Sequence, residues 1–227
     1  MAGAGASREL RELLGPDADR YGGKSAALGE LFAAGLPVPS GFALAADAFT
    51  DHVGAIALDL GCPAGDARAA IRSAPVPAAI ADEIARRYAQ LGDDEPPVAV
   101  RSSALCEDSA QATFAGQQDT YLWVTGAEAV RAAVRDCWAS LYNDEAAAYR
   151  DHLGAVAQHP AMGVTVQLMI DAAVAGVMFT CNPLTGDPSM VAVNAGWGLG
   201  TAVVGGEITP DEVLVSKITG EVVRETI

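Results

Sequence analysis

Residues 98–122 read VAVRSSALCEDSAQATFAGQQDTYL, and this stretch decides how the rest of the chain is read. Val98, Ala99 and Val100 form a short apolar run behind Pro96 and Pro97, the pattern of a buried strand that delivers Arg101 to its end. The loop beyond is rich in Ser, Ala, Gly and Gln, so a ligand can approach the backbone closely and meet its N–H groups. An arginine followed by Ser102 and Ser103 can hold phosphate oxygens through its planar guanidinium fork. A structural ion pair with Glu107 or Asp108 is the alternative use of Arg101.

A second stretch, YGGKSAALGEL at residues 21–31, places Gly22 and Gly23 before Lys24 at the start of a helix. Backbone donors and the positive end of the helix dipole suit an anion there, and Lys24 adds a mobile charge. The GxxxxGK[ST] spacing of a P-loop is absent, and a solvated lysine at a helix start is the plainer reading. A third stretch, residues 181–215, crowds Gly and Pro between strands, either for a ligand or for turns alone.

Composition narrows the partners. The chain has 227 residues, 51% hydrophobic and 19% charged, enough for one sizeable core or two small lobes. Its net charge of -15 argues against non-specific nucleic-acid binding and leaves any polyanion to be met by a few local cations. Cys62, Cys106, Cys137 and Cys181 are scattered without a CxxC pair, and His52, His152 and His159 show no zinc-ligand spacing. With neither a signal-like start nor a membrane-length apolar run, the expected location is cytoplasmic.

The element order predicts mixed α/β rather than a regular βαβ repeat. Helices are expected over residues 24–34, with Leu28, Leu31 and Phe32 on one face and Gly35 as the stop. Others are expected at 47–58, 66–73 and 77–91, the last burying Ile80, Ile84 and Leu91. LPVPSGF reads as a rigid, Pro-punctuated passage. A long segment at 127–153 spaces Val130, Val134, Trp138 and Leu141 for one face, with an interruption at Asn143 and Asp144. Strands follow at 164–168, 174–180 and 191–195, then a hairpin of 212–216 and 221–224 around Thr219 and Gly220.

Taken in order, GGKSAALGEL, VPSGF, VAVRSSALCEDSAQATFAGQQDTYL, GVMFTCNPLTGD and NAGWGLGTAVVGGEITPD closely resemble the ATP-binding N-terminal domain of the pyruvate phosphate dikinase and phosphoenolpyruvate synthase family. Rifampicin phosphotransferases share that domain. The resemblance implies an ATP-grasp-type fold in which two α/β lobes, here about residues 1–165 and 166–227, close over ATP and Mg²⁺. It implies cleavage of ATP to AMP, with the phosphoryl group passing to a histidine on a swivelling domain and then to pyruvate or a similar acceptor. On matching positions, Lys24 and Arg101 would hold the ATP phosphates and do the catalytic work. Gly116, Gln117 and Thr120 would cover them as a lid, and Gln167, Leu168, Met169 and Ile170 would frame the adenine.

The chain also departs from the family pattern. Thr201 stands where the family's GLGE places its glutamate, after Gly198, Leu199 and Gly200. The QDxEWA-like segment carrying Mg²⁺ ligands has no match, and no histidine lies in the context of the phosphorylated one. The expectation is therefore a domain truncated on its C-terminal side, a fragment or one part of a split phosphotransferase. Its metal ligands, histidine domain and acceptor-binding domain would lie elsewhere. The alternative is a non-catalytic interaction module that keeps the fold.

Overall fold

Side chains alternate along β5 (Met162–Leu168), so its two faces carry different chemistry: Met162, Val164 and Val166 on one, Gly163, Thr165 and Gln167 on the other. β5 is the middle strand of a five-stranded sheet in the order β1-β2-β5-β3-β4. The other strands are β1 (Ser7–Glu9), β2 (Gly41–Leu44), β3 (Val98–Ala104) and β4 (Thr120–Val124), and every neighbouring pair is antiparallel. This sheet belongs to the first of two compact units, Met1–Met169 and Ile170–Ile227, of the computed structural model. The structure describes residues 5–58, 62–105, 120–143 and 161–227.

The apolar face of the sheet carries the main core. Val98 and Val100 stand opposite Leu168 and Val166, while Phe42 and Leu44 stand opposite Val166 and Val164. Helices α3 (Ala46–Ala55), α4 (Ala64–Ser73), α5 (Ala78–Ala89) and α6 (Ala127–Ser140) contribute Phe49, Ile71, Ile80, Ile84, Val134 and Trp138 to the same cluster. The helical spacings read from the sequence hold here: Ile80 and Ile84 are buried and Leu91 packs alongside, and Val130, Val134, Trp138 and Leu141 are all buried. α6 ends at Ser140, short of residue 153, and residues 144–160 lie outside the described ones.

The opposite face is covered by α1 (Ala18–Tyr21) and α2 (Gly23–Ala33), over a smaller cluster of Leu10, Leu13, Tyr21, Ala43 and Ala45. Leu28 and Phe32 pack against it as expected, but Leu31 is 41% exposed, and the residues α2 buries are Ser25, Ala26 and Gly29. Small side chains face inward because the helix lies close upon its support, leaving no space for a leucine stripe. α2 stops where expected, with the Gly35 amide donating to the Phe32 carbonyl.

The five-residue strand β4 was not anticipated, nor were the shorter elements α1, β1, β2 and a single helical turn α7 (Thr201–Val204). At three or four residues each, the shorter elements leave no room for periodicity to declare itself. β2 begins inside LPVPSGF, at Gly41. β4 carries a bulge opposite Val98 and Val100, where Trp123 adopts φ 58°.

The second unit is a four-stranded antiparallel sheet in sequence order, β6 (Val174–Phe179), β7 (Met190–Trp197), β8 (Asp211–Ser216) and β9 (Val222–Thr226). The terminal hairpin forms around Thr219 and Gly220, closed by the Gly220 amide on the Ser216 carbonyl at 2.8 Å. Both sheets being wholly antiparallel, the fold is mixed α/β without βαβ repeats. Among the described residues no helix is long and apolar enough to cross a membrane.

Trp138 is the largest of the fully buried side chains, tilted against Phe49 at 6.3 Å and His52 at 5.1 Å between ring centroids. Trp138→Ala is expected to lower the unfolding free energy by about 3–5 kcal/mol, read from denaturant unfolding. His52 is fully buried, with Nε2 at 3.2 Å from the Ile71 carbonyl. Burial pushes its imidazole below the ordinary 6.5, against the pull of that hydrogen bond and assisted by the charge of Arg135. The unfolded chain therefore binds the proton first as pH falls below 6.5, and folding weakens from there downward. Between about pH 7.5 and 5.5 the thermal midpoint of the native chain should fall more steeply than that of His52→Gln.

Candidate functional site

The junction between α1 and α2 rests directly on the sheet. Gly22 has φ 84°, and a Cβ there would stand 2.2 Å from both the carbonyl oxygen and Oγ of Ser103. A Cβ on Gly163 would stand 2.3 Å from the Tyr21 carbonyl oxygen. Neither position has room for a side chain, and at Gly22 the positive φ is a second reason for glycine. Tyr21 anchors the junction: it is fully buried, its hydroxyl donates to the Gly5 carbonyl at 3.0 Å, and Arg8 and Arg20 stand 5.4 and 5.6 Å from its ring centre. Arg20 in turn donates twice to Asp47 Oδ2, at 3.0 and 2.8 Å, and that hydrogen bond pulls its pKa above the ordinary value.

This close approach joins the two cationic stretches. Lys24 Nζ donates to the Ser102 carbonyl at 3.1 Å, and the Ser25 amide donates to Ser103 Oγ at 3.4 Å, each across 78 residues of sequence. Ser25 Oγ and Thr165 Oγ1 share a hydrogen bond of 2.7 Å in a buried setting. Arg101 stands opposite Thr165 on β5 and opposite Thr120 on β4, so the three share one face of the sheet, the face that α2 covers. Arg101 is partly buried, and among the described residues its guanidinium makes no hydrogen bond or ion pair. Glu107 and Asp108, the alternative partners, lie outside the described residues.

The other residues singled out are distributed as follows. Gly116 and Gln117 lie outside the described residues, while Thr120 is exposed as the first residue of β4. Gln167 is 8% exposed, and its Nε2 donates to the Pro39 carbonyl at 3.0 Å, so that amide group is engaged within the fold. The Leu168 amide donates to Ser40 at 2.8 Å and the Met169 amide to Pro97 at 2.9 Å. Met169 closes the first unit, and Ile170, 55% exposed, opens the second.

Much of the third glycine-rich stretch follows turn chemistry. Asn182 Oδ1 accepts the amides of Leu184 and Thr185 at 2.9 and 3.3 Å, and Lys217 Nζ donates to the carbonyls of Thr180 and Pro188. Thr201 opens α7. His52 is a core residue, and His152 and His159 lie outside the described ones.

A cleft of about 240 Å³ lies at the β1 edge, lined by Glu9, Arg11, Phe32, Phe42 and Arg87 among others, and includes neither Lys24 nor Arg101. Its cations are already neutralised: Arg11 Nε lies 2.7 Å from Glu9, and Arg87 Nε lies 3.2 Å from Glu83. The junction beside Arg101 is the better candidate for anion chemistry. Gly163 and Thr165 were passed over in the sequence, and Ser25 and Ser103 were given no role of their own. The available signal was the alternation in MGVTVQL, whose non-apolar positions mark a second, polar face of the strand.

Comparison with known proteins identifies the family of the chain. The family described as "Pyruvate phosphate dikinase, AMP/ATP-binding domain" matches residues 18–227. The chain is 41% identical over 241 residues to a protein of Staphylothermus marinus named "Probable phosphoenolpyruvate synthase", covering 96% of this chain and 29% of that protein. It is 44% identical over 208 residues to the prodigiosin synthesizing transferase PigC of Serratia marcescens, covering 89% of this chain and 23% of that one. With the phosphoenolpyruvate synthase of Aeropyrum pernix it shares 40% identity over 228 residues, covering 91% of this chain and 28% of the relative. The chain thus spans less than a third of the length of these relatives. A match over nearly the whole chain, with the glycine-cushioned Lys24 turn set against the Arg101 strand inside it, shows that the chain belongs to the family of pyruvate phosphate dikinase AMP/ATP-binding domains.

Proposed function

We propose that this ATP-binding domain holds the triphosphate of ATP between Lys24 and Arg101, as part of a dikinase-type phosphotransferase that converts ATP to AMP. The observation that supports this reading most is the hydrogen bond from Lys24 Nζ to the Ser102 carbonyl, which sets the lysine beside the residue that follows Arg101. In a chain of net charge -15, two cations converging on one face of a sheet make a local exception to the field. Phosphoryl transfer asks the protein chiefly for positioning and charge neutralisation, which a lysine and a forked arginine supply.

In this reading Gly116, Gln117 and Thr120 cover the phosphates as a lid. The adenine lies along Gln167, Leu168, Met169 and Ile170, with backbone groups and apolar side chains rather than the Gln167 Nε2 making the contacts. The phosphoryl group leaves for a histidine on a swivelling domain and then for pyruvate or a similar acceptor, each bound by polypeptide beyond these residues. We place the Mg²⁺ ligands in the QDxEWA-like segment that this sequence does not match, outside these residues, and derive no step through the ion. The four cysteines are scattered along the sequence without a CxxC pair, which accords with a reducing, cytoplasmic setting.

Binding of ATP should raise the thermal midpoint of the native chain, and Arg101→Ala or Lys24→Ala should each weaken binding by about ten- to a hundredfold, removing most of that protection. Arg11→Ala, at the separate cleft, should leave the protection intact. Protection that survives loss of Arg101 and of Lys24 would instead favour a non-catalytic interaction module.

A further inference from the structure

Ser25 and Thr165 are both fully buried, and their hydroxyls stand 2.7 Å apart. Buried side chains that only fill space have no need of hydroxyls, and a threonine can be replaced in shape by valine. Their placement gives the pair a purpose. Ser25 follows Lys24 in the first turn of α2, and Thr165 stands opposite Arg101 across the β3–β5 ladder. The hydrogen bond therefore ties the turn that carries one cation to the strand position paired with the other. Contacts of the Ser25 amide with Ser103 Oγ and of Lys24 Nζ with the Ser102 carbonyl close the same joint on β3.

Lysine reaches its ligand on a flexible four-carbon stem, so the location of its charge depends on how firmly its backbone is held. Glycines at 22 and 163 permit the approach but fix nothing, since they offer no side chain to grip. In a buried setting without competing water, a hydroxyl pair makes a directional tie. We propose that Ser25 and Thr165 are positioning residues: their mutual hydrogen bond sets the spacing between Lys24 and Arg101 that a triphosphate requires. Being buried, they act through the two cations and do not touch the nucleotide. The inference rests on the phosphate-binding reading of Lys24 and Arg101.

The test is a set of variants of the chain, Thr165→Val, Thr165→Ser, Ser25→Ala and the double Ser25→Ala/Thr165→Val. Each is measured for ATP affinity by calorimetric titration well below its own thermal midpoint, and for that midpoint without nucleotide. Each single removal of a hydroxyl should weaken ATP binding by about tenfold, and Thr165→Ser should restore it. The double variant leaves no buried hydroxyl unpaired, so its midpoint should recover towards the native value while its affinity for ATP stays weak. Trp138→Ala, destabilised at a distance, should keep its affinity. Affinity that follows the hydroxyl pair supports the proposal; affinity that follows the midpoint, or that is unchanged in Thr165→Val, overturns it. If Lys24→Ala and Arg101→Ala leave ATP binding unchanged, it is the phosphate-binding reading that fails. If they weaken it while the hydroxyl variants do not, only the positioning role falls.

Discussion

The contact on which the rest of the first unit depends is the seat of the α1–α2 junction on strands β3 and β5. Two glycines make it possible, one on each side: Gly22 against Ser103, and Gly163 against the Tyr21 carbonyl. With a side chain at either place the junction would have to lift, and the links from Lys24 to Ser102 and from Ser25 to Thr165 would part together. The same seat explains why α2 turns small residues inward and leaves Leu31 exposed. Closeness, here, is obtained by leaving side chains out.

A second constraint comes from the other face of the sheet. Val98, Val100, Val164 and Val166 are fully buried beneath the helical layer that holds Trp138. Because strand side chains alternate with period two, a slip of one residue would drive Arg101 into this core and lift the valines out of it. The apolar face thus fixes the register by which Arg101 stands opposite Thr165 and Thr120. Stability and chemistry are divided between the two faces of one sheet, and the first imposes the geometry of the second.

Much of this was legible in the sequence, for reasons that can be stated residue by residue. The run VAV before Arg101 declared a strand, the spacing of Val130, Val134 and Trp138 declared a buried helix face, and Thr219 with Gly220 declared the terminal hairpin. Ordered motifs along the chain pointed to the family that the comparison shows. The juxtaposition of Lys24 with Arg101 was not readable from spacing, because it depends on packing α2 against β3, a contact between distant segments that no local pattern encodes. β1 and β2 escaped because three or four residues do not establish a period. The face of α2 was misread at Leu31 because a leucine pattern predicts an ordinary helix-to-sheet distance, whereas this helix sits closer.

In the proposed function, the junction and the strand converge on the phosphates of one nucleotide. A crystal structure of the chain grown with ATP tests it most directly. Phosphate oxygens are expected within about 2.7–3.2 Å of both Lys24 Nζ and the Arg101 guanidinium, the ordinary range of N–H···O hydrogen bonds. A triphosphate bound instead at the cleft of Arg11 and Arg87, or touching neither Lys24 nor Arg101, would contradict it.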